Sequence, residues 1–115
     1  MRKAALFLAI ILIVSTPLTV SAAPRMLTIN PTLAFNGTTA ACEVAVVGNN
    51  MSEYVEVTMK LMDGTSCIAS WSDSGYGYVY MLEYASVTKG RTYDLVIEVT
   101  LAGVVKPPVY ERGTC

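Results

Sequence analysis

The side chains that most often carry out chemistry are sparse in this sequence. It contains no histidine, which removes the Ser–His and Cys–His nucleophile systems and the commonest transition-metal ligand. Its nine acidic residues are scattered, and no pair stands out as the two carboxylates of a glycoside hydrolase. The turns "SDSG" and "MDG" each offer a single carboxylate, whereas calcium takes about six or more oxygen ligands. We therefore expect a protein that is not an enzyme and that uses no metal or cofactor.

Tyrosine is the residue that stands out. The segment "SGYGYVYMLEY", residues 74–84, holds four of the seven tyrosines. Tyr76, Tyr78 and Tyr80 alternate with other residues, which would place their rings on one face of a single β-strand. Exposed rings of this kind suit ligand stacking or a protein interface, so these residues are candidate binding residues. Aromatic rings on a solvent-facing sheet can equally stabilise the sheet without any ligand.

The direction in which this strand faces follows from its aliphatic residues. Val79, Met81 and Val87 have the opposite parity to the tyrosines, and aliphatic side chains fill a thin core more easily than phenols, whose hydroxyls need partners. We therefore predict that the aliphatic positions are buried and that Tyr78 and Tyr80 are exposed. Glu83 has the inward parity, so we also predict a β-bulge near it.

The N-terminus has the order of a secretory signal peptide. A basic start is followed by the uncharged run "AALFLAIILIV", which is shorter than the roughly 20 residues of a membrane-spanning helix. Cleavage after Ala23 would leave Pro24 at the new N-terminus, so we favour cleavage after Ala22. This divides the chain into a signal peptide, residues 1–22, and a secreted domain, residues 23–115. Retention of the segment as a membrane anchor is the alternative.

The secreted part has 93 residues, room for one small domain. Its six basic and nine acidic residues give a net charge of −3, and the charges occur singly. Nucleic-acid binding requires a basic stripe, and the sequence has none. It also lacks a basic amphipathic helix, so we expect no membrane association after the signal peptide is removed.

Short alternating segments rich in Val, Thr and Tyr fill the rest of the chain. About seven of them recur at intervals of about 8–12 residues, separated by Gly, Asn, Asp and Ser, which predicts an antiparallel β-sandwich. The segment from Pro24 to Pro31 is interpreted as a lead-in, and "SDSG" as a turn. In the three clearest strands the inward positions are Val44, Val46, Val57, Met59, Leu61, Leu95, Ile97 and Val99.

Two features refine this pattern. Pro107 and Pro108 lack backbone donors, so the last strand must lie at a sheet edge or be interrupted there. Trp71 shares parity with Cys67 and Ala69 in the segment "SCIASW", and a lone tryptophan in a sandwich is most often a core residue, so we predict that Trp71 packs in the core.

The segment "VTKGRTYDLVIEV" resembles the corner between the fifth and sixth strands of immunoglobulin-like and fibronectin-III-like bacterial domains. The resemblance implies that the Tyr93 hydroxyl bonds to backbone a few residues upstream, as a tyrosine corner. With "GTTAACEV", "VTMKLMDGTSCIASWS" and the final cysteine, the chain is also similar to small secreted single-domain proteins of Gram-positive bacteria that have no assigned function. These resemblances imply an immunoglobulin-like sandwich that works outside the cell and has no catalytic residues.

In that strand order Cys42, Cys67 and Cys115 come to the same end of the sandwich. They lack the paired spacing of a zinc site, and in an oxidising compartment three cysteines give one disulfide and one remaining thiol. Both Cys42–Cys115 and Cys42–Cys67 are open, as is pairing between chains. We favour Cys42–Cys115 slightly, because that bond would hold the proline-interrupted last strand.

These observations leave two classes of function. The first is a secreted, non-catalytic module that binds an extracellular protein or glycan through a sheet face or end loops. The second is a secreted structural or effector protein, such as an inhibitor or an antimicrobial polypeptide, that acts without chemistry. The oligomeric state is not encoded in any motif of the sequence.

Overall fold

The computed structural model describes residues 27–115, in which every regular element is a β-strand. The strands are β1 (Thr28–Asn36), β2 (Thr39–Val47), β3 (Tyr54–Asp63), β4 (Ser66–Tyr76), β5 (Tyr78–Ser86), β6 (Thr92–Leu101), β7 (Val104–Val105) and β8 (Val109–Thr114). The expected signal peptide and its cleavage site lie outside the described residues. Residues 27–115 include no helix with the length and apolar character needed to cross a membrane.

The strands form two antiparallel sheets, as the alternating pattern predicts. The small sheet has three strands in the order β1-β2-β5. The large sheet has five, in the order β4-β3-β6, with β7 and β8 both pairing with the far side of β6. The prediction of an all-β antiparallel sandwich is confirmed at this level.

The hydrophobic core lies between the inward faces of the two sheets. All eight core positions predicted from strand parity are buried, and so are Val79, Met81 and Val87 on β5. Alternation places every second residue of a strand on the same face, so the regular Val, Leu and Ile positions of β2, β3 and β6 identify the inward side. Trp71 is partly buried and packs against this core from β4.

Three local predictions are wrong. Strand β1 begins at Thr28, within the segment interpreted as a lead-in, and includes Pro31. An edge strand tolerates a proline because its missing N–H can fall on the unpaired side. Strand β4 continues through "SDSG" as far as Tyr76, because its backbone stays paired with β3 along that whole stretch. The pairing of β5 with β2 is regular from Ser86 to Tyr78, without the bulge predicted near Glu83.

A β-bulge does occur, in β4. The register of β3 with β4 shifts between Leu61 and Met62, which pair with Ala69 and Cys67, so Ile68 is the extra residue. A one-residue insertion reverses the face of every position beyond it. Cys67 therefore shares the outward face of Met62 and is exposed, although simple alternation from Ala69 would turn it inward.

Each sheet edge carries a feature that interferes with the addition of another strand. In the small sheet, β1 contains Pro31, and β5 has an inward-pointing charge at Glu83. In the large sheet, β4 has Asp73 on the inward parity of Val57. On the opposite edge, Pro107 and Pro108 separate β7 from β8, which confirms the predicted interruption of the last strand.

Gly77 is the point at which the chain passes from the large sheet to the small sheet. It separates β4 from β5 and has a φ of 76°, a conformation that glycine adopts without steric cost. A Cβ at this position would lie 2.7 Å from the Cα of Met51 in the β2–β3 connection. Both the backbone angle and the close approach of Met51 therefore require glycine here.

Gly64 provides a control that separates these two requirements. It has a similar φ of 61°, but a Cβ there would meet nothing within 4 Å. We expect Gly64→Ala to lower the free energy of unfolding by about 1 kcal/mol, from backbone strain alone. Gly77→Ala should cost about 2–4 kcal/mol, because the backbone of Met51 must also move. Urea unfolding of both variants tests this, and equal costs would contradict the role given to Met51.

Candidate functional site

The outer surface of the small sheet carries a continuous row of large apolar side chains, which we call the tyrosine face. Its members are Val47 on β2 and Tyr78, Tyr80, Leu82 and Tyr84 on β5, and their exposed fractions run from 39% for Val47 to 63% for Tyr84. Clusters of exposed apolar residues of this kind are characteristic of interaction sites in soluble proteins.

The sequence of β2 explains why the rings remain uncovered. Ala45 lies opposite Tyr80, and Ala41 lies opposite Tyr84. Cross-strand neighbours are the residues that would otherwise pack over such rings. Because alanine is short, the phenol rings of β5 stand above the surface of the central strand.

The only charged side chain at the outward positions of β1, β2 and β5 is Glu43, and it is bound within the face. The Tyr80 hydroxyl donates a hydrogen bond to the Glu43 carboxylate. This bond, together with partial desolvation and the negative charge of Glu43, raises the pKa of Tyr80 above its ordinary value. Tyr80 therefore remains a neutral donor at physiological pH, and the carboxylate has a fixed position.

Tyr76 does not belong to this face, contrary to the prediction that it shares a strand with Tyr78 and Tyr80. It ends β4, and the crossing at Gly77 leaves it on the outer surface of the large sheet. There its ring lies 5.1 Å from that of Tyr54, measured between centroids. The tyrosine-rich segment therefore supplies both outer surfaces of the sandwich.

The three cysteines are unpaired, which corrects the prediction of a disulfide. Cys42 is buried in the core on β2. Cys67 faces outward from the large sheet because of the bulge at Ile68. It therefore points away from the core in which Cys42 is buried. Cys115 is half-buried, and its thiol donates to the Gly37 carbonyl at 3.2 Å. The direction of its side chain separates Cys67 from Cys42, whereas Cys115 packs against the same core as Cys42 and the two thiols are nevertheless unpaired.

Tyr93 has the geometry that the resemblance implies for a tyrosine corner. The N–H of Thr88, five residues upstream, donates to the Tyr93 hydroxyl at 2.8 Å. The ring is buried at the start of β6 and lies 6.1 Å from the ring of Phe35. This contact fixes the connection between β5 and β6, so the role of Tyr93 is to hold the fold.

A metal site has no support in the described residues. Residues 27–115 contain no group of three or more His, Cys, Asp or Glu side chains that could hold a metal ion. The chain matches no protein-family model, and no curated protein is significantly similar to it.

Some members of these surfaces were not among the sequence-predicted binding residues. Tyr84 and Leu82 have the same parity as Tyr80, so alternation alone could have identified them. Val47 and Tyr54 could not be found in this way, because their positions depend on pairing with strands that are distant in the sequence.

Tyr93→Phe tests the energetic role of the corner. The substitution keeps the ring but leaves the N–H of Thr88 without its acceptor, so we expect a loss of about 1 kcal/mol in the free energy of unfolding. Tyr78→Phe is the matched control and should be near neutral, because the Tyr78 side chain is exposed and its hydroxyl has no hydrogen-bond partner among residues 27–115. Urea denaturation measures both, and a larger cost for Tyr78→Phe would contradict the assignment of these faces.

The cysteines should differ strongly in reactivity. Burial raises the pKa of the Cys42 thiol to about 11, so about one molecule in a thousand carries the thiolate at pH 8. We expect iodoacetamide to label the exposed Cys67 first and Cys42 only after unfolding in denaturant. Peptide mass spectrometry of the native and denatured protein measures this order. Equal native labelling of both residues, or a Cys42-containing disulfide, would contradict the structure.

Proposed function

We propose that this chain is a secreted, non-catalytic binding module with an immunoglobulin-like sandwich, and that it binds an extracellular protein through the tyrosine face. The observation that carries the proposal is the exposed row of Tyr78, Tyr80, Leu82 and Tyr84. The only charged side chain at the outward positions of β1, β2 and β5, Glu43, already accepts a hydrogen bond from Tyr80.

The strand order supports the immunoglobulin-like part of the proposal. The fourth strand pairs with the third, and the third with the sixth, whereas the first, second and fifth form the other sheet. In constant-type immunoglobulin domains the fourth strand lies in the sheet of the first and second strands. Its position here favours the fibronectin-III-like form of the resemblance, and the Thr88–Tyr93 contact is consistent with it.

The shape and composition of the tyrosine face favour a protein as the partner. Two concavities in residues 27–115 are lined by the large sheet, and neither includes these tyrosines. Tyrosines are enriched at protein interfaces, where they supply large rigid contact area and a hydroxyl at low entropic cost. A row of phenols without unpaired charge avoids the desolvation cost that charged side chains would impose on binding.

The edges of the sandwich support the same assignment. Recognition through a sheet edge requires a free strand that can accept another strand. Here Pro31 interrupts one edge, and Glu83 and Asp73 place charges on two others. A partner therefore meets a face more readily than an edge.

The test uses the secreted chain as bait for proteins from its culture medium and surroundings, with chemical cross-linking and mass spectrometry. We expect a specific partner to be retained by the native chain and lost by the double variant Tyr78→Ser, Tyr84→Ser. Tyr110→Ser is the matched control, because Tyr110 is equally exposed at 63% but lies on the large sheet.

Three outcomes would overturn the proposal. The first is that the double variant retains the partner as well as the native chain does. The second is that the ligand whose binding these substitutions abolish is a glycan and not a protein. The third is a chain found only inside the producing cell with residues 1–22 still attached. A thermal unfolding midpoint within a few degrees of the native value confirms that the double variant is folded.

A further inference from the structure

The outer surface of the large sheet carries a groove of about 770 Å³, on the opposite side of the sandwich from the tyrosine face. Its floor is formed by the outward side chains of β3 and β6, among them Glu56, Thr58 and Glu98. Ser74 on β4 lines one side, and Lys106 after β7 lines the other. The volume lies within the range of about 300–1,000 Å³ that is usual for small-ligand sites.

Several polar groups of the groove are held in place by one another. The Tyr54 hydroxyl donates to the hydroxyl of Ser74 at 2.8 Å. The hydroxyl oxygens of Thr58 and Ser72 lie 3.2 Å apart and share a hydrogen bond. Each pair crosses from β3 to β4, so the hydroxyls on this side are positioned before any ligand arrives, which lowers the entropic cost of binding.

Other polar groups are available to a ligand. The carboxylate of Glu56 has no hydrogen-bond or ion-pair partner among residues 27–115, and in the sheet it lies between Ser74 and Thr100. The ammonium group of Lys106 is likewise without a partner in the described chain. The groove thus offers a strong acceptor on its floor, a donor on its rim, and neutral hydroxyls between them.

An aromatic pair lies at the margin of the groove, with Tyr54 in the lining and Tyr76 beside it, outside the lining. Tyr54 is part of the lining, and the ring of Tyr76 packs against it at 5.1 Å with an angle of 58° between the planes. Tyr76 is 66% exposed, so most of its surface is free to contact a ligand. A phenol ring combines an apolar face with a polar edge, which suits a ligand whose faces carry C–H groups and whose rim carries hydroxyls.

The charges of the lining favour a ligand without net charge. Glu98 is paired with Lys60 at 3.3 Å, and Asp73 has the inward parity of Val57. The charges of the groove without a partner among residues 27–115 are therefore the carboxylate of Glu56 and the ammonium group of Lys106, so an anion and a cation each meet a group of their own sign. The mixture of hydroxyls and carboxylates gives an apolar ligand no continuous surface. A neutral polyhydroxylated chain meets neither obstacle, because it needs no charge compensation and can donate to carboxylates.

From this combination we infer that the groove binds a neutral oligosaccharide whose hydroxyls bond to Glu56, and that the chain of sugars extends past Tyr54 to stack one ring on Tyr76 at the margin of the groove. The site is on a different sheet from the tyrosine face and does not depend on the protein-binding function proposed for that face.

The test is titration of the isotope-labelled secreted chain with chitotetraose, maltotetraose and xylotetraose, followed by amide chemical shifts in two-dimensional NMR spectra. We expect one of these neutral sugars to shift amides of β3, β4 and β6. Glu56→Gln and Tyr76→Ala should each weaken that binding about tenfold, the equivalent of one charged hydrogen bond or one stacked ring.

Matched controls use residues of β8, which belong neither to the groove lining nor to the Tyr54–Tyr76 pair. Glu111→Gln and Tyr110→Ala on β8 make the same chemical changes on exposed residues and should leave the affinity unchanged. The double variant Tyr78→Ser, Tyr84→Ser should also bind the sugar normally, which separates this site from the tyrosine face.

Several results would overturn the inference. The first is that no neutral sugar shifts any amide at millimolar concentration. The second is that the protein prefers an anionic heparin tetrasaccharide or tetralysine. The third is that neither Glu56→Gln nor Tyr76→Ala weakens the binding of the sugar. Native-like NMR spectra of the unliganded variants show that any loss of binding is not a loss of fold.

Discussion

At Gly77 the chain leaves the large sheet and enters the small sheet, and the arrangement of both outer surfaces depends on that crossing. Two backbone hydrogen bonds hold it in place, each 2.8 Å long. The N–H of Gly48 donates to the carbonyl of Gly77, and the N–H of Gly77 donates to the carbonyl of Glu53. Met51 packs directly against the glycine. The β2–β3 connection therefore fixes the backbone at the crossing. As a result, Tyr76 before Gly77 and Tyr78 after it lie on opposite outer surfaces of the sandwich.

Most of the fold could be predicted because the strands alternate regularly. The predicted inward positions of β2, β3 and β6 are correct because Val, Leu, Ile or Met recurs there at every second residue. Edge strands were harder to predict. In β4 a hydroxyl-rich stretch has the composition of a turn, and only pairing with β3 makes it a strand. Tertiary context of this kind overrides local propensity.

The cysteines show why side-chain direction is less predictable than strand order. The expected strand order predicts that Cys42, Cys67 and Cys115 lie at one end, but whether two thiols can meet also depends on the face of each strand. The bulge at Ile68 changes that face for Cys67, and nothing in "SCIAS" marks it, because a bulge is fixed by the register with the neighbouring strand. The bulge thus explains why Cys42–Cys67 is not a disulfide, and it has no bearing on the slightly favoured pair Cys42–Cys115, which is also unpaired.

The candidate surfaces were predictable to the extent that they depend on alternation. The exposure of Tyr78 and Tyr80 follows from parity with Val79 and Met81. The position of Tyr76 does not, because an isolated glycine within a strand-like run marks a bulge or a bend as readily as a crossing between sheets. The pairing of Tyr76 with Tyr54 requires the long-range register of β3 with β4, which no local pattern contains.

The interrupted and charged edges also determine how the protein behaves at high concentration. Fibrils of the cross-β type grow when identical strands stack through unpaired backbone groups, and growth stops where a proline removes a donor or a charge must be buried. Pro31, Glu83, Asp73 and the Pro107–Pro108 pair supply such obstacles on every side of the sandwich. Crowding of many copies therefore favours contact between faces over the stacking of strand edges.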